Sequence, residues 1–187
     1  MQEHVKHLMT FEAFKELAKN SPEPLELIDG EVFLQASPSS AHQVVVSNLA
    51  TAFGNSFKDK PCRHVVAPYD ILLHNEQEGV THSVQPDISV VCEQSCMKEH
   101  GYEGVPTLVV EVLSPSTASK DFIKKMDLYM RFGVREYWIV SPKNKTVQVF
   151  SLENGLYSEP LEYAGRATVI SSVFAGLAVS LDGLFEW

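Results

Sequence analysis

The sequence predicts an α/β (α+β) fold with a mixed β-sheet core flanked by helices, preceded by an N-terminal helix and a β-hairpin. Short apolar strand-like runs and amphipathic helical segments intermix along the 187 residues. One helical segment separates two strand-like runs after Glu111, and such a crossover joins parallel strands. The run Leu108–Leu113 is apolar on both faces except for Glu111, which is typical of a central strand covered on both sides.

Length and composition predict one globular domain over residues 1–187, with 44% hydrophobic and 21% charged residues. The net charge of −9 argues against loose, charge-driven binding of nucleic acid over the whole surface. A local basic groove or a metal-bridged phosphate contact stays compatible with this charge.

The cysteines favour a reducing compartment. Cys62, Cys92 and Cys96 are odd in number and have no C-x-x-C spacing, so neither a disulfide framework nor a zinc site is expected. The sequence also lacks an apolar signal segment and any run long enough to span a bilayer. We therefore expect a cytoplasmic protein that does not enter a membrane.

The first third of the chain begins with a helix and a hairpin. Thr10 can cap a helix over Phe11–Lys19. Asp29-Gly30 is the two-residue signal of a β-hairpin, whose strands are predicted at Leu25–Ile28 and Glu31–Gln35.

A second helix follows the hairpin. Ser40 and Gln43 have the spacing of a capping box, which opens a helix extending to about Phe57. His42 begins the apolar stripe of this helix, whose other members are Val45, Val46, Leu49 and Phe53. A single histidine on such a stripe is either a hydrogen-bonded core residue or a base or ligand, and both interpretations stay open.

The remaining predicted strands follow the second helix. Pro86–Val91 is predicted as a strand with Asp87 at its start, and the polar stretch Glu93–Gly104 is predicted as a loop. A helix from about Ser119 to Phe132 is ended by Gly133. Further apolar or strand-like segments occur at His64–Ala67, Tyr69–Leu73, Glu136–Val140, Val147–Ser151, Leu156–Tyr163, Ala167–Ile170 and Leu177–Phe185.

Glu111 places a carboxylate where a central strand should be apolar. An unpaired buried carboxylate costs several kcal/mol, so a metal ion, a cationic partner or a shifted pKa must compensate it. Asp87 on a neighbouring strand could join Glu111 in holding one Mg²⁺ ion. Alternatively, Asp87 caps its strand while Glu111 pairs with a buried Arg or Lys. Glu31, just after the hairpin turn, is a candidate third carboxylate or a solvated strand residue.

The helix after Glu111 supplies a candidate cation. Its apolar stripe is predicted at Phe122, Met126, Tyr129 and Met130. Lys124 then points opposite the stripe into solvent, whereas Lys125 lies at its flank, within reach of the carboxylates. Asp121 and Tyr129 lie one turn to either side of Lys125 and could orient it. The alternative is a snorkelling lysine without a role in a site.

Other catalytic classes have no signal in the sequence. G-x-G-x-x-G and G-x-x-x-x-G-K-[ST] phosphate loops are absent, and so is a G-x-S-x-G nucleophile elbow. Among catalytic classes, a metal-assisted hydrolytic site on the two carboxylates stays a candidate, beside the structural alternative for Asp87 and Glu111.

Several blocks occur in a specific order and spacing. They are Leu25–Val32, Ser37-Pro38, His42-Gln43, Pro86-Asp87, Val110–Thr117, Asp121, Lys125, Tyr129 and Gly133–Trp138. Together they resemble the Uma-two family of restriction endonucleases, a branch of the PD-(D/E)XK nuclease superfamily. The resemblance extends from the hairpin to Phe150 and more loosely to Phe185.

The resemblance implies a restriction-endonuclease-like fold and hydrolysis of DNA phosphodiester bonds with Mg²⁺ or Mn²⁺. Asp87 and Glu111 match the acidic residues of the superfamily motif, and the main-chain carbonyl of Val112 would be a further metal ligand. Leu113 stands where the superfamily has its lysine, and Lys125 on the next helix matches the position that replaces it. By analogy, a homodimer is expected, because cutting both strands of a duplex takes two sites.

Two alternatives to catalysis remain at this stage. The acidic net charge and the missing strand lysine favour an inert nuclease-fold module that binds nucleic acid or a protein partner. Alternatively, Glu111 and Lys125 form a buried structural ion pair without any ligand.

Overall fold

The computed structural model describes residues 8–35, 37–75, 79–114 and 120–186, with only the backbone of residues 120–122. Its helices are α1 (Phe11–Asn20), α2 (Ser40–Phe57) and α3 (Lys120–Phe132). Within the described ranges, no helix has both the length and the hydrophobicity needed to cross a bilayer.

The strands form two larger sheets and one two-stranded ribbon. In chain order they are β1 (Leu25–Ile28), β2 (Glu31–Leu34), β3 (Arg63–Val66), β4 (Ile71–Asn75), β5 (Val80–Val84), β6 (Ile88–Val91), β7 (Met97–Lys98), β8 (Gly101–Glu103), β9 (Leu108–Val112), β10 (Glu136–Ser141), β11 (Thr146–Glu153), β12 (Leu156–Tyr157), β13 (Leu161–Ala164), β14 (Thr168–Ile170) and β15 (Ala178–Ser180). The first sheet has the order β2-β1-β5-β4-β8-β7, and the second has the order β12-β11-β10-β9-β6-β3, with β13 also paired to β11. The strands β14 and β15 form the ribbon.

Strand β9 lies in the middle of the second sheet, as its apolar sequence predicts. It pairs in parallel with β10, where Glu111 is opposite Ile139. On its other side it pairs antiparallel with β6, where Ile88 is opposite Val110. Helix α3 forms the predicted crossover between β9 and β10. The mixed sheet and its flanking helices confirm the predicted fold class.

The two faces of the second sheet bury different hydrophobic clusters. Val110 and Val112 of β9 belong to the cluster that contains α2 and the C-terminal strand β15. Val109 belongs to the other cluster, which contains residues of the first sheet and of α3. Because side chains alternate along a strand, Glu111 faces the same side as Val109, between the two sheets.

The N-terminal predictions hold with one change. The Thr10 side chain caps α1 by accepting a hydrogen bond from Ala13 N, and Asp29 and Gly30 take the positive φ angles of a tight hairpin turn. Helix α2 is capped one residue earlier than predicted, by Ser39, whose side chain accepts from His42 N. Ser40 is therefore the first helical residue, so its predicted capping role is wrong.

The stretch Glu93–Gly104 is not only a loop. It contains the short strands β7 and β8, and β8 pairs with β4 in the first sheet. Tyr102 of β8 is buried in the cluster between the sheets. A polar sequence with one buried aromatic gives little local signal, because its strands are stabilised by non-local pairing.

Helix α3 is rotated relative to its predicted stripe. Among the side chains described for this helix (residues 123–132), Lys125, Leu128 and Tyr129 are buried, whereas Met126 and Met130 are half-buried. Lys125 therefore lies on the buried face itself rather than at its flank. The side chains of Phe122 and Asp121, which the prediction also used, lie outside the described residues.

Cys62 and Cys92 form a disulfide, contrary to the prediction from cysteine number and spacing. Strands β3 and β6 pair antiparallel, with Arg63 opposite Val91. Cys62 directly precedes Arg63 and Cys92 directly follows Val91, so this register places the two cysteines side by side. Their Cα atoms are 4.1 Å apart. The sequence separation of 30 carries no sign of this register, and the cysteines no longer argue for a reducing compartment.

Candidate functional site

The site begins where β6 and β9 meet at the end of β9. Asp87 immediately precedes β6, and its Oδ2 accepts a hydrogen bond of 2.7 Å from the main-chain N of Val112. The N–H and C=O of a strand residue point to the same side, so the Val112 carbonyl also faces Asp87. This bond fixes the Asp87 carboxylate beside the residue that follows Glu111.

His42 approaches the same carboxylate from the N-terminal turn of α2. Its Nε2 lies 3.2 Å from Asp87 Oδ2, and its side chain is only 10% exposed. A carboxylate accepts, so the proton lies on Nε2 and Nδ1 of the neutral ring is an acceptor. Burial lowers the pKa of His42, but the hydrogen bond and charge of Asp87, the charge of Glu111 and a hydrogen bond to the Val112 backbone together raise it above its ordinary value.

Helix α3 brings two donors to Glu111. Lys125 Nζ lies 3.0 Å from Glu111 Oε1, and the Tyr129 hydroxyl donates to the same oxygen at 2.8 Å. Tyr129 therefore orients Glu111 rather than Lys125, which corrects the role predicted for it. Burial raises the pKa of Tyr129, so its hydroxyl keeps its proton and stays a donor.

Glu26 is a third carboxylate that the sequence prediction missed. It lies on β1, its side chain is 5% exposed, and its Oε1 is 2.9 Å from Lys125 Nζ. The same oxygen accepts a hydrogen bond of 2.7 Å from Gln85 N. A signal was present, because Glu26 interrupts the apolar strand Leu25–Ile28 as Glu111 interrupts its own strand.

Glu31, the predicted third carboxylate, is directed elsewhere. It pairs with Lys124, whose Nζ also lies 4.6 Å from the centre of the Phe33 ring. The Lys124 side chain is 39% exposed, so it is half-solvated rather than fully in solvent as predicted. Glu31 does not line the cavity that contains Asp87 and Glu111.

The electrostatic environment holds excess negative charge. Burial raises the pKa of Glu111 to about 7 against the opposing charge of Lys125, and the like charges of Asp87 and Glu26 add to the shift. Burial alone would lower the pKa of Lys125, but the charges of Glu111 and Glu26 raise it. Lys125 is therefore a permanent cation, whereas Glu111 titrates near neutral pH.

These groups line one cavity of about 280 Å³. The polar residues on its wall include Glu26, His42, Asp87, Glu111 and Lys125. The rest of the wall is largely apolar or amide-bearing, and its members are Pro24, Phe33, Leu34, Gln35, Pro38, Gln43, Ala67, Pro68, Gln85, Val112, Leu113, Ser114 and Tyr137. The cavity is therefore a pocket with convergent charged groups in a partly apolar wall, which is the usual form of a binding site.

The donor set fits a hard divalent cation. In the described part of the chain, no cluster of three or more His, Cys, Asp and Glu side chains forms a ready-made cage. Mg²⁺ does not need one, since it commonly uses one or two carboxylates together with water and substrate oxygens. The three carboxylates of Glu26, Asp87 and Glu111 face a single ammonium group, so a divalent ion would supply positive charge that Lys125 alone does not.

Comparison with known proteins gives first the class of fold and then the family. A crystal structure described as "a putative nuclease belonging to DUF820", from Anabaena variabilis, has a TM-score of 0.78 and 22% sequence identity, covering 96% of this chain and 98% of that chain. This likeness shows the fold. A sequence model of the Uma2 family, described as "Putative restriction endonuclease", matches residues 11–182. The chain therefore belongs to the Uma2 family, which confirms the resemblance seen in its motifs.

A curated relative is similar over most of its length. The Synechocystis protein named "Uncharacterized protein slr1290" is 29% identical over 140 residues, which cover 74% of this chain and 72% of that protein. Its name assigns no activity. The family description supports a nuclease-like function for this chain.

Proposed function

We propose that the protein is a metal-dependent endonuclease that hydrolyses phosphodiester bonds of DNA. The observation that carries this proposal is the convergence of Asp87, Glu111, Lys125 and His42 on one cavity at the end of β9. Mg²⁺ or Mn²⁺ would be held by Asp87, Glu111 and the carbonyl of Val112. When bound, such an ion polarises a phosphate oxygen and lowers the pKa of a water molecule.

The chain's own side chains supply the remaining chemistry. The Lys125 ammonium stabilises negative charge that develops on the phosphate as water attacks. His42 holds the Asp87 carboxylate in place through its Nε2–H, and its buried Nδ1 is available to accept a proton. Tyr129 fixes the Glu111 carboxylate through its hydroxyl. A homodimer is part of the proposal, because two sites are needed to cut both strands.

Plasmid cleavage in Mg²⁺ or Mn²⁺, with chelator as the metal-free control, tests this function. Asp87→Ala and Lys125→Ala should each lower the cleavage rate by about 100-fold or more, because each removes charge from the reacting groups. Lys124→Ala is the matched control, since Lys124 is adjacent in sequence but pairs with Glu31 outside the cavity. Cleavage that persists in chelator, or that is unchanged in both site variants, would reject the proposal.

A binding module without catalysis is the second candidate. One support is that the Lys125 ammonium already contacts two carboxylates, which compensate its charge. The other is the acidic net charge of −9. DNA affinity that falls steeply with salt, without turnover in any divalent cation, would select this alternative.

A further inference from the structure

Lys125 is held between two carboxylates that come from different sheets. Its Nζ lies 3.0 Å from Glu111 Oε1 on β9 and 2.9 Å from Glu26 Oε1 on β1. Glu26 Oε1 also accepts from the main-chain N of Gln85, which lies two residues before Asp87. One oxygen of Glu26 thus connects the lysine of α3 to the segment that carries the aspartate.

We propose that Glu26 is a positioning residue that fixes the Lys125 ammonium beside the cavity while Glu111 is engaged by a cation. This inference rests on the proposed nuclease function. A metal ion and Lys125 would compete for the Glu111 carboxylate, because both would bind to it. Glu26 makes its contacts with Lys125 and Gln85 N, so its hold on the ammonium does not depend on the metal.

The position of the lysine explains why it needs such a partner. A lysine in place of Leu113, directly after β9, would project from backbone that is tied to β10 by the hydrogen bond from Leu113 N to Val140 O. Lys125 instead reaches the site from a helix through a flexible four-carbon stem. A second fixed carboxylate restricts that stem, and positioning of this kind is a large part of catalytic power.

Simple docking of α3 on the hairpin does not account for Glu26. The adjacent Lys124 already joins α3 to β2 through Glu31, and these side chains are 39% and 30% exposed. The Glu26 and Lys125 side chains are only 5% and 11% exposed and line the cavity. The same helix and hairpin therefore carry one surface pair and one pair directed into the site.

Glu26→Gln is the informative variant. It keeps the volume and an oxygen that can accept from Gln85 N, but it removes the charge that faces Lys125. Glu26→Asp keeps the charge on a shorter side chain, and Lys124→Met controls for loss of a helix–hairpin ion pair. Each variant is measured by plasmid cleavage with Mg²⁺ and by urea unfolding without metal.

In cleavage, Glu26→Gln should lower kcat by about tenfold or more while KM changes by less than about threefold, as expected for loss of a group that acts through another at the reacting phosphate. Glu26→Asp should recover part of kcat, and it carries the test if Glu26→Gln does not fold. Wild-type kcat in folded Glu26→Gln, when Lys125→Ala has lost cleavage, would overturn the positioning role and leave the nuclease proposal intact.

Urea unfolding tests the interaction between Glu26 and Lys125 without requiring catalytic activity. In a double-mutant cycle with Lys125→Met, the shift in the urea midpoint of the double variant should be smaller than the sum of the single shifts. Additive shifts would overturn the inference. If wild type does not cleave DNA, the proposed function fails, and this cycle alone decides whether Glu26 holds Lys125.

Discussion

Two glutamates on neighbouring strands, the fully buried Glu136 and the partly buried Glu111, are satisfied in different ways. Glu136 of β10 is 0% exposed. Its Oε1 accepts from Trp138 Nε1 at 2.6 Å, and its Oε2 accepts from the main-chain N atoms of Ser172 and Val173 at 2.6 and 3.2 Å. The Ser172 hydroxyl donates to the same oxygen. All of these donors are neutral.

Glu111 receives its donors on one oxygen and has a cavity beside it. Lys125 and Tyr129 both contact Oε1, and the described residues give no hydrogen bond to Oε2. Both glutamates sit in strands of the same sheet, so burial alone does not identify a site. Glu136 therefore uses both of its oxygens within the fold, whereas Glu111 keeps Oε2 for the ligand that we propose.

The largest expected effect is on the free energy of unfolding, which a Glu→Gln substitution should change differently at Glu136 and at Glu111. Glu136→Gln should lower the free energy of unfolding by about 3–5 kcal/mol, because its amide group would meet N–H or O–H donors where the carboxylate accepted. Glu111→Gln in metal-free protein at pH 7 should be neutral or stabilising, since Lys125 keeps Glu26 as its partner. Urea unfolding measures the free energy of unfolding of each variant. Equal losses in the two variants would contradict the distinction drawn between Glu136 and Glu111.

The pH dependence of stability gives the next largest effect. The pKa of Glu111 is about 7 in the folded chain against an ordinary value of 4.5, so folding favours its protonated form. This contribution to stability is fully present below about pH 4.5 and is lost as the pH rises through about 7. The unfolding free energy of wild type relative to Glu111→Gln should therefore fall by about 2–3 kcal/mol between roughly pH 5 and 8.

Metal-free urea unfolding at several pH values checks this window. A difference between wild type and Glu111→Gln that stays flat would show Glu111 ionised throughout, as in a well-compensated pair with Lys125. Added Mg²⁺ should oppose the loss in wild type, because a ligand that binds only the folded protein stabilises it. The variant should respond less to Mg²⁺.

Local signals account for the parts of the fold that the sequence predicted well. The Asp29-Gly30 turn needs only its own positive φ angles, and α1 needs only its cap and amphipathic face. The apolar run of β9 likewise predicts a central strand without knowledge of its neighbours. A charge in such a strand needs an explanation, and the order of the motifs adds to it, so the sequence could bring together Asp87, Glu111 and Lys125, which line one cavity.

The parts that were missed depend on contacts between distant segments. Glu26 interrupts the apolar strand β1, which is a local signal, but its burial depends on the pairing of β1 with β5, which no local pattern indicates. The stripe predicted for α3 left out Leu128, which is fully buried. Without Leu128, the predicted orientation of the helix was rotated enough to place Lys124 wrongly. The cysteine pair likewise depends on the register of β3 with β6.

The smallest expected effect is the loss of unfolding free energy when the half-exposed Glu31–Lys124 pair is removed. It tests whether this pair is separate from the buried Glu26–Lys125 pair. Lys124→Met should lower the unfolding free energy by about 1 kcal/mol or less, because a half-exposed ion pair and a contact with Phe33 contribute little. Urea unfolding at low salt and at about 0.5 M NaCl measures it, since exposed pairs are screened at that ionic strength. A loss well above 1 kcal/mol that persists in salt would mean that Lys124 belongs electrostatically to the site, and the division between a surface pair and a cavity pair would fail.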